Sequence, residues 1–129
     1  MALDNSRIIV LVFGCAGVPV TTEFMFIGCG AVTKAQEHQV ALGRVCTITE
    51  MRARSRVVPG AGVTDTYTVN ITTVGSAATC DIGPAVNDGT WSGAVVVAAD
   101  DTISIEFTSA GGATAANDCF VTLAIAYQM

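Results

Sequence analysis

Arg52, Arg54 and Arg56 stand two residues apart in "TITEMRARSRVV", residues 47–58. On a strand this spacing places three guanidiniums on one face, where a planar fork holds carboxylates in fixed geometry. The expected use is ion pairing with carboxylates on a neighbouring strand or subunit; a solvated face and a separate anionic partner are the alternatives. A stripe for nucleic acid would need more positive charge and interleaved aromatics. The other reactive side chains are dispersed. His38 is the sole imidazole, in a weakly patterned segment, and no G-x-S-x-G elbow presents a nucleophile. Gly28 and Gly30 in "GCGAVT" lack the third glycine of a dinucleotide loop and are flanked by strands. Asp100 and Asp101 are adjacent, so on a strand they would point to opposite faces; a turn is expected there rather than a calcium site. Asn70-Ile71-Thr72 satisfies the glycosylation pattern only by accident if the protein is assembled in a cytoplasm. No catalytic, cofactor or metal site is expected, and the chain reads as non-enzymatic.

The five cysteines, Cys15, Cys29, Cys46, Cys80 and Cys119, are widely spaced and include no C-x-x-C pair. They read as free, buried thiols of a reducing compartment; the alternative is one or two disulfides with a thiol left over. Zinc sites use close Cys or His pairs, which are missing.

The elements that must position these residues are strands. At 129 residues the chain fits one domain, residues 1–129, with 1–6 as an N-terminal arm. Its hydrophobic share of 51% comes largely from Ala and Val, and Val, Thr and Gly favour strands and turns. A charged share of 13% leaves much surface without charge, as expected of a protein that packs against its own copies. The net charge of −5 supplies no general field for nucleic acid. "IIVLVF" (8–13), followed by Gly14 and Cys15, is shorter than a signal core and lacks a basic start, and no segment reaches the ~20 apolar residues of a membrane helix.

"RIIVLVF" (7–13) is apolar almost throughout, which predicts a strand covered on both faces, and "EFMFIGCG" (23–30) predicts a second. Residues 33–44 predict a loop with a short strand or a helical turn. Beyond Val45, Ile48, Met51 and Ala53 reach one interior if a bulge falls near Glu50. "PGAG" (59–62) predicts a turn into a strand with Tyr67, Val69 and Ile71 on one face. Gly75-Ser76 and Asn87-Asp88-Gly89 predict further turns around a short strand at 78–82. Trp91, Val95 and Val97, then Ile103, Ile105 and Phe107, then Cys119 to Tyr127 in alternation mark three final strands, with Ser92, Thr102, Ser104, Glu106 and Thr122 on the opposite faces. The fold class is all-β, an antiparallel β-sandwich of about eight strands.

The succession "TITEMRARSRVVPGAGVTDTYTVNI" and "DGTWSGAVVVAADDTISIEFTSAGGATAANDCFVTLAIAY" resembles a small jelly-roll module of phage virion proteins, similar in architecture to C1q and tumour-necrosis-factor heads. The likeness covers residues 47–127 and rests on strand pattern and turn chemistry. Two positions depart from the family pattern: Thr73-Val74-Gly75-Ser76 stands where Asn-Gly is usual, and Asp100-Asp101 where Gly-Asp is usual. The resemblance implies a jelly roll, a homotrimer and a place in the virion, on the capsid exterior after assembly in the host cytoplasm. The chain has no heptads or G-X-Y repeats for a fibre shaft, so the expected role is a capsid decoration (cement) protein. A receptor- or carbohydrate-binding head of a tail fibre or spike is the alternative. The expected partners are copies of itself and the major capsid protein, with no nucleic acid, no membrane and no cofactor. Arg52, Arg54, Arg56, Phe107 and Tyr127 are the candidate subunit interface. Asp4, Asn5, Arg7, Val18 and Pro19 are the candidate shell contact, in flexible or polar segments beside buried strands.

Overall fold

A computed structural model of the chain describes residues 6–14, 23–27, 39–110 and 117–128. Within them every regular element is a strand: β1 (Ser6–Gly14), β2 (Glu23–Phe24), β3 (Phe26–Ile27), β4 (Val40–Ala41), β5 (Cys46–Val57), β6 (Thr64–Ile71), β7 (Gly75–Ile82), β8 (Asp88–Val97), β9 (Thr102–Ala110) and β10 (Asn117–Gln128). They form two sheets with every pairing antiparallel. The first runs β3-β1-β10-β5-β8; the second runs β2-β9-β6-β7, with β4 also on β9. With the two-residue β3 and β4 set aside, each sheet has four strands. Along β1, β2, β5, β6, β7, β8, β9 and β10 the chain visits the sheets in the order first, second, first, second, second, first, second, first. That alternation is the jelly-roll path, and it sets the apolar face of each sheet against the other.

The core is built by period-two alternation from both sheets. Ile48, Met51 and Ala53 of β5 and Val121, Leu123 and Ile125 of β10 meet Tyr67, Val69 and Ile71 of β6 and Ile103, Ile105 and Phe107 of β9, all of them buried. The rings of Tyr67 and Phe107 lie edge to face with centroids 5.4 Å apart, a geometry worth about 0.5–1.5 kcal/mol beyond the burial itself. The bulge expected near Glu50 is present. Glu50 pairs with Ala124 and Ile48 with Ile125, which leaves Thr49 as the extra residue. The Thr49 hydroxyl donates to the Ala124 carbonyl at 3.3 Å. Without that inserted residue Ile48 and Met51 would face opposite ways, because side-chain direction alternates strictly.

Residues 23–27 cross between the sheets. Glu23 and Phe24 pair with β9, Met25 is fully buried and its amide donates to Ile105 O at 2.9 Å, and Phe26 and Ile27 then pair with β1. The single strand expected at 23–30 is therefore a corner strand shared by the two sheets, and 28–30 lie outside the described residues. Of the segment 33–44, the short strand is β4, and 33–38 lie outside the described residues.

Turn chemistry agrees at "PGAG", while the turns expected at Gly75-Ser76 and at Asn87-Asp88-Gly89 both lie earlier in the chain. In "PGAG", Gly62 takes φ 74° and Val63 N donates to Gly60 O at 3.1 Å, a turn whose third position demands positive φ. The chain turns again at residues 72–74, and β7 begins at Gly75 with φ 81°. The turn expected at Asn87-Asp88-Gly89 lies earlier, at Pro84-Ala85, where Val86 N donates to Gly83 O at 3.3 Å. Gly89 has another use: it sits inside β8 so close to the Asp81 carbonyl of β7 that a Cβ would collide with backbone. It thus lets the edge strands of the two sheets approach each other.

Candidate interaction face

Of the residues singled out from the sequence, the three arginines share the outward face of the first sheet. Arg52, Arg54 and Arg56 alternate there along β5 and are all exposed. Their partners come from the strands on either side. Asp88 of β8, in register with Arg54, lies with Oδ1 3.7 Å from Arg52 Nε and 3.9 Å from Arg54 Nε. Asp118 at the start of β10 accepts from Arg56 Nε at 2.5 Å. The arginines are paired within the subunit, one of the two placements expected of them. Two guanidiniums share one carboxylate, and the exposed Glu50 precedes Arg52 on the same side of β5. These are exposed pairs, and such pairs add about 0–1 kcal/mol to stability.

Beside the ladder the same face is apolar. β1 turns Ile9, Leu11 and Phe13 toward the core and Ile8, Val10 and Val12 outward, where they are 69%, 60% and 41% exposed. The expectation that β1 is covered on both faces is corrected at the level of the single chain: one face packs on the core and the other stands open. Register places Ile8 beside Ala126, Ala126 beside Thr47 and Thr47 beside Val96, one continuous row across four strands. Val96 and Val45 are also exposed, at 62% and 60%.

Phe107 does not belong to this face. It is completely buried between the sheets against Tyr67, so it has no surface to offer a second subunit, and its place in the interface set is withdrawn. The alternation that places Ile103 and Ile105 in the core places Phe107 there as well. Tyr127 sits at one open end of the sandwich, half-buried, with the Arg44 guanidinium 5.0 Å above its ring. Ile9, Leu42, Arg44, Cys46 and Tyr127 line a cleft of about 310 Å³ there, near the lower limit for small-molecule sites. Arg7, in register with Tyr127, is exposed at the same end. Of the candidate shell contacts, Asp4, Asn5, Val18 and Pro19 lie outside the described residues.

The opposite inward end is polar. Asp65 is fully buried, opposite Ser109 in register and on the inward side of β6 with Tyr67. Ser55 is buried on the inward side of β5. Apolar alternation alone passes over these residues, although their parity with Tyr67, Phe107 and Ala53 marks them. Thr68 and Ser104 are buried too, although alternation puts them on outward faces.

The remaining reactive groups are structural. Asp101 is buried next to the turn at Ala99-Asp100, and its carboxylate accepts from Thr73 Oγ1, 2.9 Å from each oxygen, and from Ala98 N at 3.3 Å. Cys46, Cys80 and Cys119 are buried thiols in no disulfide, while Cys15, Cys29 and His38 lie outside the described residues. Burial pushes the Cys46 thiol up, and it pushes Cys80 up to about 12, with Asp81 and Asp88 adding to the rise and a backbone hydrogen bond from Ala53 opposing it. Thiols held so far into the protonated form are poor nucleophiles at neutral pH. Among the described residues no three His, Cys, Asp or Glu side chains converge as a metal site, and no helix is long and apolar enough to cross a membrane.

The fold defines the class: an antiparallel jelly-roll sandwich with an ion-paired arginine ladder and an open apolar strip on one sheet. No family model and no curated protein matches the chain.

Proposed function

We propose that the protein is a non-enzymatic structural component of a phage virion, a homotrimeric decoration protein that binds the outside of the capsid shell and stabilises it. The observation that carries the reading is the open strip of Ile8, Val10, Val12 and Val96 on an otherwise well-packed sandwich. A strip of β-branched side chains facing water favours association, which returns roughly 25 cal/mol for each Å² of apolar surface covered. The resemblance of residues 47–127 to virion jelly-roll modules supplies the phage setting and the threefold symmetry. Apolar contacts also keep their strength at high salt, whereas exposed ion pairs such as Arg56–Asp118 are screened.

Copy number tests this reading. Quantitative mass spectrometry of purified particles should find the chain at hundreds of copies each, in fixed ratio to the major capsid protein. A few copies, located at the tail, would replace the reading with a receptor-binding head.

A further inference from the structure

The outward face of the first sheet is self-complementary in shape. Of its two middle strands, β10 carries small side chains, Ala126, Ala124 and Thr122, while β5 carries Thr47 and then the larger Glu50 and Arg52, which in a face-to-face pair come over Ala124 and Thr122 of the other copy. One flanking strand, β1, presents the large Ile8, Val10 and Val12. The other, β8, presents smaller groups at the matching levels: Val96 in the row of Ile8, Ser92 in the row of Val10 and Thr90 in the row of Val12. Turning a second copy about an axis that runs parallel to the strands, between β10 and β5, brings each large residue of β1 over a smaller one of the other copy's β8. Ile8 then lies over Val96, and Ala126 over Thr47. In the last row Phe120, 40% exposed, comes over Arg54, a favourable stacking partner for a guanidinium.

We infer that two copies of this chain pair face to face through the outward surfaces of β1, β10, β5 and β8, about a twofold axis parallel to the strands. The area suffices. Four strands spaced ~4.8 Å apart, with a rise of ~3.3 Å over the nine residues of β1, make a face of roughly 600 Å² on each copy. Pairing then buries about 1,200 Å² in total, the lower end of specific interfaces. An isologous contact needs the same patch on both copies to complement itself, and a large-to-small gradient from β1 to β8 has that property. The contact occupies the same strip that carries the proposed function, so in a paired molecule threefold and shell contacts fall to other surfaces; it does not depend on the virion setting.

The pairing is tested by charge exchange across it. Ile8 and Val96 lie at opposite margins of one sheet, three strand spacings or about 14 Å apart, so they do not touch within a chain. They meet only between copies. Ile8→Lys alone and Val96→Glu alone should each weaken association by about tenfold or more, because each places an unpaired charge in a desolvated contact. The double variant Ile8→Lys/Val96→Glu should restore it, since lysine then faces glutamate twice per pair. Sedimentation equilibrium reads the mass, and far-UV circular dichroism checks folding; the reversed pair, Ile8→Glu with Val96→Lys, serves if a first variant misfolds. An even-numbered wild type, halved by each single change and restored by the double, is the expected result. A wild type that is a monomer or a plain trimer, singles that leave the mass unchanged, or a double that stays dissociated would each overturn the pairing. A plain trimer would do so while leaving the proposed function standing.

Discussion

Asp101 ties together two turns at one end of the sandwich, and removing its carboxylate has a calculable effect. The Thr73 hydroxyl has one proton and lies 2.9 Å from both carboxylate oxygens, so it makes one shared, charge-assisted hydrogen bond rather than two. Such a bond contributes about 1.5–3 kcal/mol, and the low end applies because Thr73 is exposed. The Ala98 amide at 3.3 Å adds a weaker contact of about 0.5 kcal/mol. Asp101→Ala should therefore cost about 2–2.5 kcal/mol and Thr73→Ala about 1.5–2 kcal/mol, each kcal/mol lowering the melting temperature by roughly 3–5 °C. The neighbouring bonds, Thr72 N to Thr102 O at 3.2 Å and Thr102 N to Thr72 Oγ1 at 3.0 Å, remain in both variants. Because both changes delete the same bond, the double variant should cost little more than Asp101→Ala alone. Urea denaturation gives the three values, with an unchanged slope confirming that the unfolded state is unaffected. Additive losses, with a coupling energy below about 0.5 kcal/mol, would refute the reasoning by showing that Asp101 acts through something other than Thr73.

Four further outcomes are expected. Phe107→Ala should destabilise the fold by about 3–5 kcal/mol by opening a core cavity, without lowering the association constant of molecules that remain folded; paired urea and sedimentation measurements check this. Arg56→Ala should shift the urea midpoint by less than about 1 kcal/mol, because the pair with Asp118 is exposed. Cys46, Cys80 and Cys119 should resist maleimide in the native state at neutral pH and react after unfolding. Since burial raises the Cys80 pKa from 9.0 to about 12, its stabilising contribution is complete below pH 9 and is lost as pH rises toward 12. Replacing Cys80 with Ala should flatten that alkaline decline in a series of urea midpoints.

Much of the sandwich was legible because alternation is a direct consequence of strand geometry. Tyr67-Val69-Ile71 and Ile103-Ile105-Phe107 state their inward faces plainly, and the break in parity between Ile48 and Met51 announced the bulge at Thr49. The same rule misled at β1. An apolar run signals burial without saying what does the burying, and the outward half of Ile8-Val10-Val12 is left open by its own chain. Glycine was ambiguous for a similar reason. Gly89 is small either because a turn needs positive φ or because two backbones approach, and only the position of Asp81 decides for the second. The candidate interface was partly legible: the spacing of Arg52, Arg54 and Arg56 gave their shared face, but their carboxylates, Asp88 and Asp118, are 34 and 62 residues away from Arg54 and Arg56 and come near only through the β5–β8 and β5–β10 pairings. Asp65 and Ser109 leave no mark in apolar periodicity because they are polar residues at inward positions.

The proposed role of the protein is to fasten a shell. Its most direct test is the temperature at which particles release their DNA, measured with a DNA-binding dye on wild-type particles and on particles assembled without the chain. Repeating it after adding back purified protein assigns any difference to the chain itself. Particles lacking the chain should assemble and adsorb normally but release DNA at a lower temperature, and added protein should restore the wild-type value. Particles that hold their DNA as well as wild type yet fail to adsorb to the host would contradict it.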